Sequence, residues 1–284
     1  MQLQKRDIAK RFATSVKSYD GHSDFHQKIA EALALKAIRP LSSAKSILEI
    51  GCHTGVQTRA LKKHIRPDCL YTLLDMHAGA QNKLKEHNLH FPFICADGEA
   101  LPFAPASFDL IVSGSTFQWF KNWSTALQGI LTTLRPGGSL IFSQFLAPSL
   151  EPLKSAFGSI GRTSSFLRLL SESELVQACK ELKQAELTQA NNELIESELT
   201  QANNKLSQQK FGIEVVDARK DFEDFSELTS YLRAMGVQAS PNSARPLKRS
   251  ELNQVRLFLD EERQGKHYHL QLCAGIVEIK KPLN

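Results

Sequence analysis

The chain has 284 residues, of which 42% are hydrophobic and 23% charged, and its formal net charge is +5. This composition excludes disordered and fibrous classes and is sufficient for a large globular core. The charge is mild and no basic run alternates with aromatic residues, so we expect a small acidic partner rather than a nucleic acid.

The cysteines and the N-terminus indicate a compartment. Five cysteines are scattered without a C-x-x-C pair, which predicts reduced thiols and no disulfide framework or zinc site. The first residues lack the apolar segment of a signal peptide, and no run of about 18 apolar residues occurs. We therefore expect a cytoplasmic protein without a membrane segment and without a bound metal.

In chain order, the first 45 residues predict an arm of helices. Ile8, Phe12 and Val16 recur on one helical face. A second helix follows a turn at residues 18–22. Such an arm either folds over the open side of a ligand site or packs on a sheet, and the sequence leaves both open.

The next stretch joins an apolar run to two glycines. Residues 46–50 predict a buried parallel strand, Gly51 and Gly55 follow in a turn, and a helical pattern then begins. This order presents backbone N–H groups to a ligand at the carboxyl end of a sheet. The pattern G-x-G-x-x-G is not met, because His53 stands at its middle glycine.

Carboxylates end the next two predicted strands. Asp75 follows the apolar residues 70–74, where a carboxylate accepts hydrogen bonds from both ribose hydroxyls. A short third strand at residues 91–97 ends at Asp97, which either accepts from an adenine amino group or caps the next turn. The two strand ends together favour a nucleoside site.

The following elements continue the alternation of strands and helices. The pattern predicts a fourth strand at residues 107–113, a helix at 117–134, a turn at 135–138 and a fifth strand at 139–143. Strands and helices at this spacing predict an α/β, doubly wound sheet.

The alternation ends near residue 148. Residues 149–183 have a helical pattern, and residues 186–209 repeat the letters ELTQANN. The leucines of the repeat form no continuous helical stripe, so we expect an exposed helical excursion or a partly disordered insert. A partner-binding coiled coil is the alternative. The C-terminal part predicts strands at 211–216 and 267–279 and helices around 224–235 and 249–263.

The sequence has none of the common hydrolase, metalloprotease or P-loop motifs. A nucleoside-binding α/β protein without acid–base machinery suits methyl transfer from S-adenosylmethionine, whose sulfonium is already a strong electrophile. A carboxylate acceptor, with an ordinary pKa near ~4, would need no general base at neutral pH.

Several motifs resemble those of class I S-adenosylmethionine-dependent methyltransferases. They are residues 47–55, Asp75, residues 97–103 and 107–109, Gln118-Trp119 and residues 134–138. N-terminal Ile8, Phe12, Tyr19 and His22, with residues 231–237 and 269–276, are similar to the malonyl-[acyl-carrier protein] O-methyltransferases of biotin synthesis. The resemblance covers nearly the whole chain except about residues 181–210.

The resemblance implies a doubly wound, Rossmann-like class I methyltransferase fold with an N-terminal helical arm and a helical lid insertion, expected as a monomer. Its single domain spans residues 1–284. The expected parts are an arm at 1–45, a cofactor-binding core at 46–147, a lid with the repeat insert at 148–210, and C-terminal strands and helices at 211–284.

The resemblance also implies a reaction. The free carboxyl of a malonyl thioester, carried by acyl carrier protein or coenzyme A, is methylated so that the ester can prime pimeloyl synthesis. An ionised carboxylate is costly to bury in apolar elongation sites and an ester is not. Two alternatives stay open: methylation of another small molecule, such as a quinone ring carbon, and a non-catalytic module in which His53 blocks the cofactor.

Site roles carry over residue by residue. Contacts with the cofactor are expected from Glu49, Gly51, His53, Gly55, Asp75, Met76, Asp97, Gly98, Glu99 and Ser113. Tyr19, Ser113, Gln118 and Arg168 are expected near the methyl group and the acceptor. His53 replaces the usual glycine of the family, so we expect His53→Gly to be tolerated. The family's lid stretch His-x-Asn-Arg-Phe is replaced here by residues 165–169, which keep only the arginine.

Overall fold

In the computed structural model, residues 5–16, 18–162, 169–190, 213–235, 248–263 and 265–283 are described. The helices are α1 (Lys5–Ser15), α2 (Asp24–Leu41), α3 (Val56–Lys62), α4 (Ala80–Glu86), α5 (Trp123–Thr133), α6 (Glu151–Ser159), α7 (Glu172–Ala190), α8 (Phe225–Ala234) and α9 (Arg249–Glu261). The strands are β1 (Ser46–Ile50), β2 (Leu70–Asp75), β3 (Phe93–Cys95), β4 (Phe108–Ser113), β5 (Leu134–Phe145), β6 (Glu214–Phe222) and β7 (Tyr268–Lys280).

These strands form one sheet in the order β3-β2-β1-β4-β5-β7-β6. The first five pair in parallel, and β7 runs antiparallel to both β5 and β6. The chain order reverses beside β1, so the loops after β1 and β4 diverge and leave a crevice at the carboxyl ends of the strands. The topology confirms the predicted doubly wound α/β sheet.

Helices cover both faces of the sheet. On one face α2 and α3 bury Leu33 and Leu61 against β1 and β2. On the other face α5 and α7 bury Leu127 and Leu175 against β4 and β5. Because β1 is covered on both sides, all five of its residues are buried, including the polar Ser46 and Glu49.

The predicted turn at residues 135–138 lies inside β5. Between the pairs Phe108↔Leu134 and Leu110↔Ser139 the register of β5 shifts. The Gly137 N–H donates to the Lys281 carbonyl at 3.2 Å, and the Lys281 N–H donates to the Gly138 carbonyl at 2.9 Å. This segment from the far end of the chain completes the hydrogen bonds of a stretch whose local pattern is that of a turn.

The helix predicted from residue 117 to 134 is interrupted. A 3₁₀ helix spans Phe117–Trp119, Phe120 is extended, and α5 begins at Trp123. Phe117 is fully buried and stacks on Phe142 with ring centroids 4.3 Å apart. The stacked ring fixes the short helix on the sheet, so the chain must turn before α5 can start.

The helical arm is confirmed, and its two helices differ in position. α2 packs on the sheet, whereas α1 lies at the crevice described below. In the predicted lid, α6 and the first part of α7 are helical as expected. Arg168 and residues 191–209 of the repeat insert lie outside the described residues. Of the described helices, none combines the length and apolarity that crossing a bilayer requires.

Candidate cofactor site

A cleft with about 680 Å³ of space opens at the carboxyl ends of β1, β2 and β4. Its walls include Gly51 after β1, Asp75 at the end of β2, and Asp97 with Gly98 after β3. Six predicted cofactor residues therefore meet at one place, since His53 and Met76 line the same cleft.

Asp75 is held by the backbone on both of its oxygens. The His53 N–H donates to Oδ2 at 2.9 Å, and the His77 N–H donates to Oδ1 at 2.8 Å. Its side chain is almost entirely buried. Each carboxylate oxygen has a second lone pair, so the fixed group can accept further hydrogen bonds from a vicinal diol.

Two glycines bring the backbone close to the cleft. Gly51 has a φ of +77°, and a Cβ there would lie 2.1 Å from Thr116 Oγ1. A Cβ on Gly98 would lie 2.7 Å from Ile50 Cγ2. Any side chain at either position would displace a wall of the cleft. The wall therefore requires glycine at both positions.

Glu49 does not reach the cleft that the sequence predicted it to line. Its carboxyl group is fully buried, where it accepts hydrogen bonds from Thr58 Oγ1 at 3.0 Å and from the Tyr71 hydroxyl. Burial raises the pKa of Glu49 from 4.5 to about 7, against these two hydrogen bonds, which lower it. We therefore assign Glu49 a supporting role, in which it ties β1 to α3 and β2.

The raised pKa of Glu49 gives the stability of the protein a pH dependence. Between pH 4.5 and about 7 the folded state keeps a proton that the unfolded state has released. Raising the pH through this window therefore favours unfolding. We expect the free energy of unfolding of the wild type to fall from pH 5 to pH 7 relative to Glu49→Gln, and the difference to level off above pH 7. Urea denaturation of both proteins at each pH measures this difference in the free energy of unfolding.

A matched control for that series is Glu262→Gln, which alters an exposed carboxylate. Its free energy of unfolding should follow that of the wild type at every pH. If Glu49→Gln also follows the wild type, Glu49 is not the group that holds the proton.

Lys5 of α1 joins the two carboxylates after β3. Its ammonium forms ion pairs with Asp97 and with Glu99. Asp97 Oδ1 also accepts the Glu99 N–H at 3.0 Å, and Glu99 Oε1 accepts the Asn122 N–H at 2.9 Å. Burial disfavours the charged lysine, but the two carboxylates outweigh it and raise its pKa. Glu99 thus supports the cleft wall from behind, while Asp97 and Lys5 line it.

Aromatic rings close the side of the cleft nearest α1. Phe12 packs edge-on against Trp119 and His53, with centroid distances of 5.1 and 5.3 Å. Tyr19 packs edge-on against His53 at 4.4 Å. His53 has a φ of +44° and is buried, and burial lowers its pKa, so its imidazole is neutral at pH 7. Tyr19 thus lines the cleft beside His53.

Three other predicted residues stand outside the cleft wall. Ser113 is fully buried, and its hydroxyl donates to the Ile50 carbonyl at 2.9 Å, joining β4 to β1. Gln118 Nε2 donates to the Ser115 carbonyl at 2.7 Å. Gly55 packs against Leu89: a Cβ on Gly55 would lie 2.5 Å from Leu89 Cδ1. Ser113 and Gly55 thus pack within the fold and do not line the cleft.

Lys5 and Thr116 belong to the cleft, although the sequence did not identify them. Lys5 lies three residues before Ile8 and seven before Phe12, on one face of α1, and all three line the cleft. That helical spacing was visible in the sequence. Thr116 carried no comparable signal, because its proximity to Gly51 depends on the crossing of two loops.

A group of three metal-binding side chains is not found in the described part of the chain. The five cysteines are all free thiols.

Comparison with known proteins shows the family of the chain that forms this cleft. Residues 48–142 match the methyltransferase domain model. The malonyl-[acyl-carrier protein] O-methyltransferase of Priestia megaterium is 31% identical over 191 residues, covering 63% of this chain and 68% of the relative. The chain belongs to the malonyl-[acyl-carrier protein] O-methyltransferase family.

Other similarities agree with this membership. The Marinomonas enzyme of the same name is 29% identical over 180 residues, covering 62% of this chain and 65% of that protein. The chain thus spans about two thirds of the length of these curated relatives. A Bacillus halodurans crystal structure, of a protein assigned as a methyltransferase, matches 89% of this chain and 98% of its own at a TM-score of 0.58 and 13% identity. That similarity shows a shared class I fold.

The methyl donor of such a domain is S-adenosylmethionine, and the cleft fits it. Asp75 would hold the ribose hydroxyls, and Asp97 with Gly98 would contact the adenine. The turn at Gly51, where a Cβ has no room, would pass close to the methionine part.

Proposed function

We propose that this protein methylates the free carboxyl group of a malonyl thioester, with acyl carrier protein as the carrier. The proposal is carried by the cleft in which Asp75 is fixed by two backbone N–H groups, in a chain similar to relatives named for this reaction. The methyl ester would serve the synthesis of biotin. A curated relative from Bordetella avium, 35% identical over 152 residues, is named a biotin biosynthesis bifunctional protein.

The chemistry asks mainly for alignment. S-adenosylmethionine supplies a methyl group on a positively charged sulfur. A carboxylate oxygen of the malonyl group would bond to the methyl carbon as the carbon–sulfur bond breaks, with the electron pair left on sulfur. The products are the methyl ester and S-adenosylhomocysteine, and no proton moves. The protein must therefore hold the two groups in line and exclude water.

Tyr19 and Phe12 would contribute by covering the reacting groups. Both line the cleft next to His53. Burial raises the pKa of Tyr19, so its phenol stays protonated near pH 7 and can donate a hydrogen bond. A covered cleft lowers the competition of water with the carboxylate for the methyl group.

We also propose that Arg168 anchors the malonyl carboxylate through its guanidinium fork, as the resemblance implies. Arg168→Ala should then lose most of kcat/KM and leave the affinity for S-adenosylhomocysteine unchanged. Arg168→Lys should keep the charge but lose the fork, so its kcat/KM should lie between those of the wild type and Arg168→Ala. Steady-state kinetics and calorimetry measure both quantities. Wild-type kcat/KM in the alanine variant would remove Arg168 from the site and direct attention to Arg162.

The release of S-adenosylhomocysteine tests the proposed function. We expect turnover with malonyl-acyl carrier protein and none with acetyl-acyl carrier protein, which lacks the free carboxyl group. Malonyl-coenzyme A, tested beside them, shows whether the carrier is recognised. Equal release with the malonyl and acetyl forms would contradict a carboxyl acceptor. Turnover with a quinone precursor instead would favour carbon methylation.

A further inference from the structure

A second cavity, with about 330 Å³ of space, adjoins the cofactor cleft. The two share Tyr19, Gly51 and His53 in their walls. The second cavity is also lined by Gln57 of α3 and His26 of α2. In the following we call it the inner cavity.

Buried polar atoms of the inner cavity lack partners. His53 Nδ1, Gln57 Oε1 and His26 Nδ1 are each buried without a hydrogen-bond partner among the described residues. Gln57 is 6% exposed and His53 is 9% exposed. Leaving such atoms unpaired costs free energy, so their clustering around one cavity indicates a polar ligand.

The hydrogen bonds already made define what two of these atoms can do. His53 Nε2 lies 3.5 Å from the Phe12 carbonyl, which can only accept, so this contact favours the tautomer with the proton on Nε2. In the neutral imidazole Nδ1 is then an acceptor. Gln57 Nε2 donates to the Ala30 carbonyl at 3.2 Å, which leaves Oε1 as an acceptor as well.

The second acceptor lies close to the cleft. A Cβ on Gly114 would lie 2.9 Å from Gln57 Oε1, and Gly114 lines both the inner cavity and the cleft. His53 also lines both. Both buried acceptors therefore belong to residues that lie at or next to the shared wall of the two spaces. A group with several donors and no acceptor, such as an ammonium, would satisfy both.

We propose that His53 Nδ1 and Gln57 Oε1 bind the α-ammonium group of S-adenosylmethionine. The inference rests on the cofactor of the proposed function but not on its acceptor. Charge-assisted hydrogen bonds are about twice as strong as neutral ones, so the imidazole becomes a contact rather than an obstacle. This reverses the expectation from the sequence that His53→Gly is tolerated.

Calorimetry with two ligands tests the proposal. The first is S-adenosylhomocysteine, and the second is its deamino analogue, in which hydrogen replaces the α-ammonium group. We expect the wild type to prefer the first by at least about tenfold. In His53→Gly this preference should shrink by about tenfold, while the affinity for the deamino analogue changes little. If the affinity falls only for the ligand that carries the ammonium group, the ammonium and the His53 side chain interact directly.

Further variants separate hydrogen bonding from packing. His53→Phe keeps an aromatic ring beside Tyr19 and Phe12 but has no acceptor, and Gln57→Met removes the other acceptor. Both should show the reduced preference. His90→Ala, which changes an exposed histidine, should keep the preference of the wild type.

Two results would overturn the proposal. One is an unchanged preference in His53→Gly and Gln57→Met. The other is an equal loss of affinity for both ligands, which would show a general role in shaping the cleft. If the wild type binds neither ligand, the cofactor itself is wrong. If binding follows our expectation but no carboxyl group is methylated, only the proposed acceptor fails.

Discussion

Replacing Asp75 by Ala is expected to weaken the binding of S-adenosylhomocysteine by about tenfold to a hundredfold. The alanine side chain cannot accept the hydrogen bonds that the Asp75 carboxylate would take from the ribose. A charge-assisted hydrogen bond of this kind is worth about 1.5–3 kcal/mol. The His53 and His77 N–H groups would also lose their acceptor, so the wall of the cleft would loosen. Isothermal titration calorimetry measures the effect.

Asp75→Asn sharpens this test. The backbone donates an N–H to each oxygen of Asp75, so either orientation of an amide would set its NH₂ group against a donor. We expect Asp75→Asn to bind nearly as weakly as Asp75→Ala. Asp68→Ala changes an exposed carboxylate paired with Arg66 and should bind like the wild type. Wild-type affinity in both Asp75 variants would place the ribose elsewhere.

Gly51→Ala is expected to cost about 1–3 kcal/mol of stability and to abolish cofactor binding. The residue has a φ of +77°, and its new Cβ would lie 2.1 Å from Thr116 Oγ1 and 2.8 Å from Thr116 Cγ2. Thr116 cannot rotate away freely, because its hydroxyl donates to the Gly114 carbonyl at 3.2 Å. Chemical denaturation and calorimetry measure the two losses.

Gly129→Ala is the matched control for Gly51→Ala. Gly129 lies exposed in the middle of α5, where a Cβ would meet nothing within 4 Å. The substitution should therefore stabilise the protein by about 0.5–1 kcal/mol, the usual gain of alanine over glycine in a helix. If Gly51→Ala is as stable as the wild type, the positive φ and the close contact with Thr116 do not constrain this turn.

The sequence was sufficient to predict those strands of the sheet whose residue pattern is determined by burial alone. β1 and β4 lie between two helical layers, so nearly all of their residues are buried and most of them are apolar, and their bounds were predicted closely. The start of β5 was missed because residues 135–138 have a local turn pattern, and Lys281, which bonds to Gly137 and Gly138, lies far away in the chain. Local turn signals cannot reveal that kind of pairing.

For the site, strand ends were easier to predict than side-chain directions. Asp75 and Asp97 were found because parallel strands bring their carboxyl ends to one edge. Ser113 and Glu49 were placed at the ligand by motif position, but the pleat turns one towards Ile50 and the other towards Tyr71. His26 was missed, because its place depends on how α2 packs.

Mass spectrometry of malonyl-acyl carrier protein, after incubation with the protein and S-adenosylmethionine, tests the central claim most directly. We expect the malonyl group to gain the mass of one methylene, with fragment ions that place it on the free carboxyl group. Incubation with Asp75→Ala should give little of this product. An unmodified malonyl group after incubation with the wild type, or a methyl group located elsewhere on the carrier, would contradict the account.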